Sequence, residues 1–200
     1  GIFVDREAHR VLIEDNQLTD NLISIYLWGP RDGMVRNNIV HGRKDLRVNE
    51  RGNGIQLWRS KGSIVEKNEI RHGRDGIYVT TSEDNIFRGN SFAETRFAVH
   101  YMYTHNSIVS DNYSSGNHIG YALMNSDGLT VRNNISDGDR DHGIALNPFQ
   151  IDRLLAEDRE NGQTLIRLRP GVRQRISGGE GILPAKPADI LTCSPEKSAV

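Results

Sequence analysis

The sequence predicts an all-β fold, a right-handed single-stranded parallel β-helix with about 22 residues per coil. Three observations predict it. Two independent ladders of residues recur with one shared period. Apolar and polar residues alternate inside very short segments. The composition is rich in turn formers and poor in long apolar runs.

The first ladder is asparagine. Asn16, Asn38, Asn68, Asn90, Asn112 and Asn134 follow one another at spacings of 22, 30, 22, 22 and 22. An apolar residue stands three positions before each: Ile13, Val35, Val65, Phe87, Val109 and Val131. The second ladder is Ile2, Ile25, Ile55, Ile77, Val99, Tyr121 and Ile144, at spacings of 23, 30, 22, 22, 22 and 23. Gly54, Gly76, Gly120 and Gly143 precede four of its members. The two ladders use different residue types yet share one period and one interruption.

Each repeat offers two or three strands too short to bury a core alone. Alternation within them, as in Ile77-Tyr78-Val79, gives an inner and an outer face. The chain must then bend back on itself about 4.8 Å above the preceding coil, so that equivalent side chains stack. Asparagine suits such a stack because its amide both donates and accepts, and because it tolerates the left-handed conformation of a sharp corner. The six asparagines therefore read as a structural ladder. The 30-residue interval exceeds the period by eight residues, placing an insertion loop at 41–53. This loop is charged and flanked by glycine. It reads as a tolerated insertion or as a protruding binding loop.

The β-helix is expected to occupy residues 1–147 as six to seven coils, and to be incomplete. Gly1-Ile2-Phe3-Val4 reads as the middle of a repeat, so the sequence is expected to be a fragment. No signal peptide opens it. From Pro148 the pattern stops: the next anchor positions hold Ala156 and Arg153. Residues 148–200 read as an irregular tail in which 151–160 can form a short capping helix over the open strand edges. The remainder reads as poorly ordered. A shifted reading frame or a divergent end would each give such a change.

Lys plus Arg is 25 and Asp plus Glu is 26, so no strong net field draws the chain to nucleic acid or a lipid surface. Hydrophobic residues make up 36%, and their longest runs fall far short of a bilayer span. Cys193 is the single cysteine, which excludes an internal disulfide and a thiolate zinc site.

Catalysis of the kind hosted by polysaccharide-active β-helices needs clustered carboxylates or a base beside them. The candidates are Arg74-Asp75, Arg96 and Arg140-Asp141-His142 near one corner, and Asp137, Asp139 and Asp141 at one turn. These read as solvated turns and surface pairs rather than as an active site. Trp28 and Trp58, equivalent across the insertion, form either an aromatic platform for a sugar or the cover of a strand end. A soft metal is the more specific option. Met102 and Met124 are 22 residues apart and so adjacent on neighbouring coils. If Val99 and Tyr101 point inward, His100 shares the outer face with Met102, and His105 follows close by. A thioether pair with imidazole suits Cu(I). The alternative is strand-end packing of the methionines with surface histidines.

Four segments carry a resemblance: Gly73 to Val79 (GRDGIYV), Arg96 to Tyr103 (RFAVHYMY), Gly120 to Met124 (GYALM) and Asp141 to Leu146 (DHGIAL). They resemble the NosD family over roughly residues 1–147. The resemblance implies a periplasmic, pectin-lyase-like β-helix with repeats of the carbohydrate-binding and sugar-hydrolase type. It implies a non-catalytic factor that works with an ABC transporter, built of an ATPase and a membrane subunit. The implied role is assembly of the copper centres of nitrous oxide reductase, with a copper chaperone as a further partner. A polysaccharide-active enzyme and a plain carbohydrate-binding solenoid are the competing readings.

Overall fold

A computed structural model of the chain describes residues 1–146 and the strand Ile166–Leu168. Its strands, in chain order, are β1 (Ile2–Val4), β2 (Leu12–Glu14), β3 (Gln17–Thr19), β4 (Ile25–Trp28), β5 (Met34–Arg36) and β6 (Ile39–His41). The middle coils hold β7 (Ile55–Trp58), β8 (Ile64–Glu66), β9 (Glu69–Arg71), β10 (Asp75–Thr80), β11 (Ile86–Arg88) and β12 (Ser91–Ala93). The last coils hold β13 (Phe97–Met102), β14 (Ile108–Ser110), β15 (Tyr113–Ser115), β16 (Ile119–Met124), β17 (Thr130–Arg132), β18 (Asn134–Asp137), β19 (His142–Leu146) and β20 (Ile166–Leu168).

From β1 to β19 every third strand joins one sheet, β20 joins the sheet of β18, and all strand pairings among the described residues are parallel. Sheet A runs β1-β4-β7-β10-β13-β16-β19, sheet B holds β2, β5, β8, β11, β14 and β17, and sheet C runs from β3 to β20. This is the expected parallel β-helix, a solenoid with three sheet faces around one core. Both apolar ladders lie in register. Ile25 stands beside Ile55, Ile55 beside Ile77, Ile77 beside Val99 and Val99 beside Tyr121 in sheet A. Ile13, Val35, Val65, Phe87, Val109 and Val131 line up in sheet B. Val35, Val65 and Phe87 are completely buried. Sheet C adds a third column, Leu18, Val40, Ile70 and Phe92, which turns polar at Ser114 and Ser136. There Tyr121 reaches across the core and its hydroxyl donates to the Asn112 and Ile135 carbonyls at 3.0 and 3.1 Å.

The asparagines stack at the corner between sheets B and C. Each interior side chain accepts from the backbone N–H and the amide of the asparagine one coil earlier, as Asn90 Oδ1 does from Asn68 at 3.0 and 2.9 Å. Each also donates to a carbonyl of the earlier coil, as Asn90 does to Val65 O at 2.9 Å. The ladder asparagines do not themselves take the left-handed turn. That falls to the residue before each of them: Asp15, Asn37, Lys67, Gly89, Asp111 and Asn133, with φ between 53 and 64°. The amide is thus selected for its hydrogen bonds and its neighbour for the corner. The other corners carry shorter ladders. Ser60 N–H donates to Ser82 Oγ, Thr104 N–H to Ser126 Oγ, and Thr95 N–H to Asn117 Oδ1.

The 41–53 segment begins on His41, the last residue of β6, and holds one 3₁₀ turn, Val48–Glu50. Arg51 ties it down, donating to Leu46 O at 2.9 Å, Lys44 O at 3.3 Å and Glu94 O at 3.4 Å. Beyond Leu146, β20 continues sheet C by pairing with β18, and it lies 32 residues past its partner Asn134. A template of 22 residues therefore does not find it. The capping helix expected over 151–160 and the end of the tail lie outside the described residues. No helix among the described residues is long and apolar enough to cross a membrane.

Candidate functional site

The chemistry-bearing residues collect on the outer face of sheet A. Its inner positions are apolar and buried, so alternation turns the intervening residues outward. Strand register arranges them in two columns. One holds Phe3, Tyr26, Gln56, Tyr78, His100 and Ala122; the other holds Trp28, Trp58, Thr80, Met102 and Met124.

Met102 and Met124 are direct neighbours across β13 and β16. The Tyr78 hydroxyl lies 3.9 Å from Met102 Sδ. His100 sits one step along β13 from the thioethers' column. Its ring lies between those of Tyr78 and Phe97, with centroids 5.0 and 4.9 Å away. Its Nδ1 is 2.9 Å from Asp75 Oδ2. Asp75 also takes both arms of Arg96, from Nε at 2.8 Å and Nη2 at 2.7 Å. The Arg96 guanidinium lies over the Phe97 ring at 4.4 Å.

Asp75 is therefore not the solvated turn residue the sequence suggested. It begins β10 and is fully buried. Gly76 follows it where a side chain would collide with Phe92 and the Ala98 carbonyl. Burial pushes the Asp75 carboxyl up. Hydrogen bonds from His100 and Arg96, with the guanidinium charge, outweigh that and hold it below its ordinary value. An ionised carboxylate can only accept, so His100 Nδ1 must donate. In the neutral imidazole that leaves Nε2 as the acceptor nitrogen. A carboxylate behind an imidazole is the arrangement that orients metal-binding histidines.

The remaining candidates go elsewhere. His105 lies past the corner at Tyr103 (φ 54°), beside Glu83. Its Nδ1 accepts the Asp127 N–H at 3.2 Å, which ties it to the turn toward sheet B. The structure thus separates His105 from His100 and the methionine pair. Trp28 and Trp58 stack at 5.6 Å with planes 2° apart. Phe3 packs on Trp28 at 6.0 Å and Arg59 on Trp58 at 5.0 Å.

The acidic run also separates. Asp139 is not a solvated turn: it is buried and accepts from Ser114 Oγ at 2.7 Å, Asn117 N–H at 2.9 Å and Ser136 Oγ. Asp137 accepts from the Tyr113 hydroxyl at 2.8 Å, and Asp141 pairs with His142 at 3.2 Å. No group of three or more His, Cys, Asp and Glu side chains suited to a metal ion occurs among the described residues.

Sequence reasoning placed Arg96 and Asp75 near one corner as a surface pair but did not find the buried Arg96–Asp75–His100 contact. Its spacings, 21 and 25 residues, bracket the period instead of matching it. Such a diagonal contact is visible only when strand register is combined with burial.

Comparison with known proteins adds three findings. The family described as "Periplasmic copper-binding protein (NosD)" matches residues 36–176. The "Probable ABC transporter binding protein NosD" of Stutzerimonas stutzeri is 35% identical over 184 residues, which cover 90% of this chain and 41% of that protein. The protein of the same name from Pseudomonas aeruginosa is 38% identical over 76 residues, 38% of this chain and 18% of its own length. The chain thus spans less than half the length of these curated relatives.

Proposed function

The chain belongs to the NosD family, and from that premise we propose that it is part of a periplasmic, non-catalytic accessory factor that offers Cu(I) a soft site on the outer face of sheet A. The donors are His100 Nε2, Met102 Sδ and Met124 Sδ. The observation that carries the reading is the pairing of two methionines on adjacent strands beside a histidine whose other nitrogen is already engaged by Asp75. Two thioethers and one imidazole match the ligand preference of Cu(I), a soft ion. His105 stays outside this set because its ring is held at the next corner.

In this reading copper is cargo. The factor works with an ABC transporter of ATPase and membrane subunits, receives copper from a chaperone, and contributes to assembling the copper centres of nitrous oxide reductase. The relatives' printed name supports the transporter part. A second reading, carbohydrate binding along Trp28 and Trp58, is disfavoured because the rings already cover one another.

The test is competition for Cu(I) between the 200-residue chain and a chromogenic chelator. Met102→Ala with Met124→Ala should weaken binding at least about tenfold, or about 1.4 kcal/mol. An unchanged affinity in the double variant removes the site.

A further inference from the structure

We infer that Asp75, clamped by Arg96, is a positioning residue that holds the ring proton of His100 on Nδ1 and presents Nε2 bare beside the thioethers of Met102 and Met124. The inference rests on the copper reading above and names the device that prepares its imidazole donor.

Three observations carry it. First, Asp75 is immobilised. Its carboxylate is fully buried and gripped by both arms of Arg96, whose guanidinium rests on Phe97. Such a forked grip fixes the direction of the remaining oxygen lone pair. That lone pair faces His100 Nδ1. Second, the ring itself has little freedom. Tyr78 and Phe97 flank it, and only 8% of the residue is exposed.

Third, the solenoid does not need a carboxylate at this place. The residue one period before Asp75 is Asn53, and its register partner one coil on is Phe97; neither is charged. A buried charge is costly unless it is paired, and a neutral residue there would avoid the cost. Among the described coils, this register position carries a carboxylate only in the coil that lies under His100, next to the methionine pair. Of the three methionines in the sequence, the remaining one, Met34, belongs to sheet B. The fixed imidazole and the paired thioethers thus coincide on one stretch of one face.

Two measurements on the 200-residue chain test this. Nitrogen-15 NMR of the metal-free chain reads the His100 ring directly: the proton should sit on Nδ1, with Nε2 unprotonated. Adding Cu(I), which is diamagnetic, should shift Nε2 and leave the Nδ1 proton in place. A ring carrying its proton on Nε2 overturns the inference, and this measurement needs no variant to fold.

The second is a double-mutant cycle read by Cu(I) competition, using Asp75→Asn, His100→Ala and their combination. Asp75→Asn should weaken Cu(I) binding about 10- to 100-fold, the usual loss for a partner behind a metal-binding histidine. In the His100→Ala background the same change should have no effect, because Asp75 acts only through that ring. Equal weakening in both backgrounds makes Asp75 a structural residue and overturns the inference. An unaltered chain that binds no Cu(I) defeats the copper reading itself. An unaltered chain that binds while Asp75→Asn changes nothing defeats the positioning role alone.

Discussion

Replacing Asn90 by alanine removes one rung from the middle of the asparagine ladder. Its side chain takes part in four hydrogen bonds. It accepts from the Asn68 backbone N–H at 3.0 Å and the Asn68 amide at 2.9 Å, and it donates to Val65 O at 2.9 Å and Asn112 Oδ1 at 3.0 Å. All lie in the buried corner, out of reach of water. Two of the partners left behind are backbone groups, the Asn68 N–H and the Val65 carbonyl. Orphaning a buried group costs about 1–3 kcal/mol, so the loss should be about 3–5 kcal/mol in all. Asn16 is the control. It sits on the first coil and only donates, to Glu14 O at 2.9 Å and Asn38 Oδ1 at 3.0 Å. Asn38 Oδ1 still accepts the Asn16 backbone N–H when that side chain is gone. Asn16→Ala should cost about 1 kcal/mol. Equilibrium urea unfolding of both variants gives the comparison by linear extrapolation. Equal losses at the two positions, or a loss below about 1 kcal/mol at Asn90, would refute the claim that the ladder is cooperative buried bonding rather than a set of tolerated turns.

Other outcomes follow from the same geometry. Phe87→Ala should cost about 3–5 kcal/mol in the same unfolding assay, because the ring is fully buried beneath Tyr101; Phe3, more than half exposed, should cost far less. Arg51→Ala should release the 41–53 segment by removing its three carbonyl contacts, seen as faster proteolysis within the loop with little change in global stability. Asp75, held below its ordinary value of 3.8, lends stability that is fully present above about pH 4 and is lost as pH falls through its lowered folded value. Acid unfolding followed by circular dichroism should therefore show a shallower pH dependence below about pH 4 in Asp75→Asn than in the unaltered chain.

The fold was legible because a solenoid repeats its physics. Ile25, Ile55 and Ile77 fill one inner column and Val35, Val65 and Phe87 another, so period and register can be read directly from spacing. The outward placement of His100 and Met102 followed from simple alternation. What spacing could not reveal was contact off the period. Asp75 meets Arg96 and His100 along a diagonal, 21 and 25 residues along the chain. Asp139 looked like part of a solvated acidic turn because its sequence neighbours are polar. It is buried because the inner column of sheet C changes from Phe92 to Ser114 and Ser136, whose hydroxyls it satisfies. His105 is close to Met102 in sequence, but the left-handed Tyr103 turns the chain between them.

The central claim is that the paired methionines on sheet A bind Cu(I). X-ray absorption at the copper edge of the Cu(I)-loaded chain tests it most directly. Sulfur scatterers should accompany an imidazole, and they should vanish in the Met102→Ala, Met124→Ala double variant. A copper shell of nitrogen and oxygen alone, or a sulfur signal untouched by the double substitution, would contradict the account.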